Sequence, residues 1–279
     1  MFHNQTESKA IRLWLLPVAL LAALLLCSCG EKKVSEPVTE PLPHSYIYNA
    51  TRVEDASGSP EVTLLRTAKD AALALQVRYP ASSFESASEC YQVVTATPVT
   101  GNQTIDNELE LWSARQRNSQ MEEFKANCGD SPRPAQLYQT YENSFTRGNA
   151  ISVLMFTSVD TGGAHPATGI TSMSFDMRDG KKLEYADIFA TQEGLLEFLS
   201  DYAYRALKPN LGQFWEMGDM FVNGLKPEPE NFKNFALVPD GLVIIFPAYQ
   251  AAPYSAGIQS FFVPLTELIK FRPLPGIWQ

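Results

Sequence analysis

Histidine is scarce in this chain, with three residues among 279. His3 precedes an apolar run, His44 lies in a polar stretch and His165 in a glycine-containing loop. A multi-histidine metal centre is therefore excluded, and histidine-based acid–base chemistry rests on His165. Cysteine is also sparse, at four residues, and no CxxC spacing occurs, which removes thioredoxin-like redox chemistry. There is no Gly-x-Ser-x-Gly elbow and no phosphate-cradling glycine pattern. The pair Glu122-Glu123 reads as part of an exposed helix face rather than as a catalytic dyad. Basic residues are outnumbered, 22 against 31 acidic, giving a net charge of −9. That balance disfavours nucleic acid and anionic headgroups and permits attraction to basic proteins or peptides. Neither a cofactor nor a metal is expected.

A long apolar run is missing too. The longest, Leu13 to Leu26, is interrupted by Pro17 and falls short of the roughly 20 residues that a spanning helix needs. Lys9 and Arg12 precede it, and Leu26-Cys27-Ser28-Cys29 closes it. Basic residues, an apolar core and a small residue before cysteine have the layout of a bacterial lipoprotein signal peptide. Cys29 is the expected lipidation site, because bulky Leu26 makes Cys27 the poorer acceptor. The expected anchor is the outer face of a membrane. In a cell with two membranes, Gly30 after the acylated cysteine points to the outer membrane, periplasmic side.

The sequence divides as a signal peptide over 1–28, a lipid-anchored tether over 29–45, and two folded parts over 46–140 and 141–279. The tether is Glu, Pro, Ser, Lys and Val without apolar periodicity. Cys90 and Cys128, an even pair in an oxidising compartment, read as one disulfide or as two separately buried thiols. Strands are expected over Val62 to Leu65, Leu73 to Tyr79 and Tyr91 to Thr97. A helix then runs from Ile105 to Cys128, capped by Thr104 or Asp106, with Trp112 and Phe124 in its apolar stripe. Ser131-Pro132-Arg133-Pro134 is the expected seam.

Ile151 to Val159 is apolar on both faces, as for a central strand. Met173, Phe175 and Met177 alternate with polar residues before the Asp179-Gly180 turn, and Leu183 to Tyr185 is expected to return as a hairpin partner. Thr191 is the expected cap of a helix through Leu195, Phe198, Tyr202 and Ala206 that ends before Pro209. Ala236 to Val238, Leu242 to Phe246 and Gln259 to Val263 read as strands. The fold class is α+β, with largely antiparallel sheets, packed helices and two α/β sub-domains.

Thr161-Gly162-Gly163-Ala164-His165-Pro166, Asp179-Gly180-Lys181, Asp187-Ile188-Phe189, Asp240-Gly241-Leu242 and Tyr249 through Gly257 occur in an order that resembles the RsiV-type extracytoplasmic domain, the DUF 3298 type. The resemblance covers roughly 150–268. The part before it is similar, more loosely, to the companion domain (DUF 4163 type) of RsiV-type anti-sigma factors and of PdaC-type peptidoglycan deacetylases. It implies a two-part module that recognises something outside the cytoplasm, a lysozyme in the anti-sigma factors. Only a short stretch precedes the apolar run and nothing follows Gln279, so the recognition module alone is expected to carry over.

The expected function is non-catalytic recognition of a cell-wall glycan or of a protein such as a lysozyme-like hydrolase. A peptidoglycan-acting hydrolase and an envelope assembly or integrity factor are the alternatives. The candidate binding loops supply Gly162, Gly163, His165, Tyr249, Pro253 and Tyr254. His165 either bonds backbone across a tight turn or touches ligand, and the aromatic loop serves either rigid packing or binding. One exposed concavity holding His165, Tyr249 and Tyr254 would favour binding.

Overall fold

The computed structural model describes residues 33–34, 51–52, 79–130, 133–146, 148–211 and 218–278. Cys27, Cys29, His44, the expected strand Val62 to Leu65 and all of Leu73 to Tyr79 except Tyr79 lie outside these residues.

Among the described residues, ten strands form two sheets. The first contains β1 (Lys33–Val34), β3 (Ala81–Ala87), β4 (Tyr91–Pro98), β5 (Ala135–Phe145), β6 (Ala150–Asp160) and β7 (Ala167–Asp176), in that order. The second has the order β2 (Thr51–Arg52), β10 (Gln259–Pro264), β9 (Gly241–Phe246), β8 (Phe235–Val238). Only β4–β5 and β2–β10 pair in parallel, so the fold is α+β with mostly antiparallel sheets, as expected. The first sheet runs unbroken through 140–141, which falls inside β5.

A parallel pair needs a crossover, and helix α1 (Gln103–Ala126) supplies it between β4 and β5. Its Ile105 and Leu109 pack on Ile151, Val153, Met155, Met173 and Phe175. Asn102, not Thr104 or Asp106, caps the helix, accepting from the N–H groups of Thr104 and Ile105. Asp106 instead accepts from the Thr100 N–H and hydroxyl, both at 2.7 Å, tying the β4 exit to the first turn. Trp112 is partly buried against this core and Phe124 is fully buried in the neighbouring cluster.

Period-two alternation builds the remaining layers. Ala236, Val238, Val243, Ile245 and Phe262 face Leu154 and Ile170 of the first sheet. Their neighbours Phe235, Leu237, Leu242, Ile244, Phe246, Phe261 and Val263 face helix α3 (Leu195–Leu211) and the short helices α2 (Tyr185–Ile188), α4 (Asp219–Gly224) and α5 (Leu265–Leu268). The order of layers is therefore helix, sheet, sheet, helix.

Hydroxyls join the two sheets. Strand β8 is an edge strand, and its outward backbone groups would be stranded against the first sheet. The Ser144 hydroxyl donates to the Leu237 carbonyl and the Ser152 hydroxyl accepts from the Leu237 N–H, both at 2.8 Å. Ser172 donates to the Phe235 carbonyl, while its own N–H meets Asn234 Oδ1 at 3.1 Å.

Three further local expectations are corrected. Leu183 to Tyr185 does not return as a strand. A single bridge joins Lys182 to Phe175, after which Glu184 and Asp187 form a capping box for α2. Thr191 does not cap α3, because the helix starts at Leu195, four residues further on, and Thr191 instead ties its N–H to the Phe271 carbonyl. The helix also continues through Pro209 to Leu211, since the proline lies in the last turn and Leu207 and Leu211 are buried on either side of it.

Candidate functional site: two loops and an aromatic row

The first loop, Thr161–Pro166, joins β6 to β7. Asp160 holds its start, accepting from the Gly162 N–H at 2.8 Å and taking the Arg133 guanidinium on both oxygens at 2.9 and 2.8 Å. The Gly162 hydrogen bond, then Arg133, keeps this carboxyl below the usual aspartate range. Gly162 has φ +91°, a conformation open to glycine. His165 is exposed, with Nδ1 2.9 Å from the Pro166 carbonyl oxygen.

The second loop connects β9 to β10. Gln250 anchors it, donating through Nε2 to the Gly224 carbonyl at 3.0 Å and the Asn231 carbonyl at 2.8 Å. The approach is so close that a Cβ at Gly224 would collide with the Gln250 carbonyl. The Tyr249 N–H reaches the Ala252 carbonyl at 3.0 Å, and this tight return leaves Tyr249 at φ +71°. Half-buried Pro253 precedes the 3-10 turn Tyr254–Ala256.

The two loops meet. The Tyr254 hydroxyl donates to the Pro166 carbonyl at 2.9 Å, across 88 residues of sequence. The Tyr254 ring stacks on His165 with centroids 4.0 Å apart and planes 15° from parallel. Tyr249 follows, 5.6 Å from Tyr254 and tilted by 34°. His165, Tyr254 and Tyr249 thus form one row, and Tyr249 at its end is 55% exposed. Pro253 and Gly162 shape the loops behind the row. Gly163 has open space where a side chain would stand, so close packing does not require glycine there.

Cys90 and Cys128 are joined as a disulfide, tying the β3–β4 turn to the end of α1. Beside it lies a cleft of about 480 Å³, lined in part by Glu89, Glu123, Asn127, Arg133 and Thr161. Glu89 comes close to both sulfurs. A disulfide presents no thiolate, so this cluster does not make a thiolate metal site.

The row presents ring edges along its length and the open Tyr249 ring at its end, an aromatic surface with polar groups that a ligand can contact. Sequence reasoning named the members of the row but missed what holds them. An Asx turn at Asp160-x-Gly162 was legible in principle. No local signal marks Gln250, Gly224 or Arg133 as supports, because each works through a partner far away in sequence.

Residues 186–266 match the family model described as a protein of unknown function (DUF3298). The peptidoglycan-N-acetylmuramic acid deacetylase PdaC of Bacillus subtilis (strain 168) is 26% identical over 167 residues, which are 60% of this chain and 36% of the deacetylase. The chain therefore spans little more than a third of that relative's length. A crystal structure of a DUF3298 family protein from Pseudomonas aeruginosa PAO1 superposes with a TM-score of 0.50 at 16% identity, covering 72% of this chain and 97% of that one. A DUF3298 member from Bacteroides fragilis NCTC 9343 gives 0.46 at 15% identity, with 70% and 93% covered. Residues 186–266 are thus similar to the DUF3298 family, and the fold is similar to that of its Pseudomonas aeruginosa member.

Proposed function

We propose that this protein is a lipid-anchored cell-envelope protein that recognises an extracytoplasmic ligand, without turning it over, at the His165–Tyr254–Tyr249 row. The supporting observation is the junction of the two loops. Tyr254 spends its hydroxyl and one ring face on the first loop, which fixes the row and leaves Tyr249 open to solvent. Rigid aromatic residues bind with little ordering cost. A tyrosine in the left-handed region is strained, as residues at binding sites often are. The likeness to a peptidoglycan deacetylase supports the envelope as its location. In this reading Cys29 carries the lipid, and the ligand is a wall glycan or a protein such as a lysozyme-like hydrolase.

The test is retention of solubilised wall fragments and of basic lysozymes by the immobilised chain at low salt. At least one is retained, and Tyr249→Ala weakens that retention with the fold intact. Retention of neither, or retention indifferent to Tyr249→Ala, overturns the reading. The deacetylase relative favours a second reading, a hydrolase acting on peptidoglycan. It requires turnover of wall fragments that His165→Ala abolishes, whereas here His165 Nδ1 faces a backbone carbonyl and its ring packs on Tyr254.

A further inference from the structure

The outer edge of β7 runs away from the aromatic row. Odd-numbered residues of β7 exchange hydrogen bonds with β6, a pattern continued by the Met177 N–H on the Asn149 carbonyl. Even-numbered residues therefore turn their N–H and C=O groups outward. Most of this edge is covered. The Pro166 carbonyl takes the Tyr254 hydroxyl, the Ser172 N–H meets Asn234, the Ser174 carbonyl takes the Leu183 N–H, and the Asp176 N–H meets the Lys181 carbonyl. Between Pro166 and Ser172, the outward groups of Thr168 and Ile170 have no hydrogen-bond partner among the described residues. Thr168 is exposed.

We infer that this open stretch of β7 accepts an extended polypeptide segment of the ligand as an added strand, with an end lying against the aromatic row. The inference rests on the recognition reading and names its ligand class as protein. The backbones of Thr168 and Ile170 carry two donors and two acceptors in strand alternation, with the Ile170 side chain buried against the second sheet, and an extended peptide backbone matches that pattern where a sugar does not. The gap is short, bounded by Tyr254 and Asn234, so it selects a few residues of extended chain rather than a long strand. The net charge of −9 favours a segment flanked by lysine or arginine.

The experiment selects phage-displayed random heptapeptides on the full chain and remakes the winners with single backbone N-methyl groups. Thr168→Pro serves as a second probe. It deletes an outward N–H without touching the β6 ladder, and proline is tolerated at such an edge position. Expected is a loss of about tenfold or more for Thr168→Pro and for N-methylation at alternate peptide positions, with little effect at the positions between. Failure to recover peptides, or binding indifferent to alternate N-methylation, overturns strand addition. If wall glycan binds and Tyr249→Ala weakens it while Thr168→Pro does not, strand addition fails and the recognition row stands. If peptides bind through Thr168 and Tyr249→Ala has no effect, the edge stands and the row fails. A concentration-dependent dimer abolished by Thr168→Pro would assign the edge to a second copy and overturn the foreign segment.

Discussion

Tyr249 separates stability from binding at one position. A non-glycine residue in the left-handed region costs about 1–2 kcal/mol, and Tyr249 adopts it at φ +71° while more than half exposed. Replacing it by alanine removes the ring and keeps the strain. Replacing it by glycine removes both. Tyr249→Gly should therefore melt higher than Tyr249→Ala, the gap corresponding to about 1 kcal/mol, with both losing ligand. Equal melting temperatures would mean that the loop does not enforce the conformation.

Asp160 carries the acid sensitivity of the first loop. Its folded-state acidity is strengthened by Gly162 and Arg133, so its contribution is complete above the ordinary aspartate value of 3.8 and is lost as pH falls through the lower folded value. Backbone amide shifts at Gly162 should report this transition below 3.8. In Arg133→Ala the transition should move up toward that value, because a supporting charge is gone. A transition unmoved by Arg133→Ala would place the cause in the Gly162 hydrogen bond alone.

At the scale of elements, the serines that hold β8 matter more than their size suggests. Ser152→Ala strands the Leu237 N–H and Ser144→Ala the Leu237 carbonyl. Leaving a buried backbone group without a partner costs about 1–3 kcal/mol. Each substitution should lower the unfolding free energy obtained from urea titration by that much, and the double variant should fall short of the sum, since both act on one residue. Ser152→Val would cost no less, because a methyl cannot accept from an N–H.

Element legibility followed the same physics. Leu242 to Phe246 and Gln259 to Val263 were readable because β-branched and aromatic residues fill both faces of a buried strand. Ala81 to Ala87 was not, since Ser, Ala and Glu carry no strand signal and pairing with β1 and β4 makes it one. Pro209 looked like a stop, yet buried leucines on either side carry the helix through it. The loops of the site announced themselves through glycine, histidine and tyrosine. Their meeting did not, because it depends on how one sheet lies over the other, which no local pattern encodes.

For the molecule as a whole, the disulfide closes a loop of 38 residues holding β4 and α1. Constraining the unfolded chain over such a loop stabilises by about 2–4 kcal/mol. Cys90→Ser with Cys128→Ser should lower the midpoint accordingly and loosen the cleft wall at Glu89 and Asn127. The aromatic row should persist, because its supports come from Arg133, Gln250 and the joint between the sheets. Hydrogen exchange would separate these effects, with faster exchange over 88–130 and unchanged protection over 249–257. Faster exchange in both segments would mean that the disulfide supports the row as well.

The serine joint also bears on attempts to divide or recombine the chain. A cut between β7 and β8 would give one piece hydroxyls aimed at nothing and the other an edge strand with bare amides and carbonyls. Neither piece should fold cleanly alone. A chimera that grafts the second sheet onto a foreign first sheet would have to import Ser144, Ser152 and Ser172 with it. The unit that can be transplanted is therefore the pair of sheets with its bridging hydroxyls, not the segment that carries the family signature.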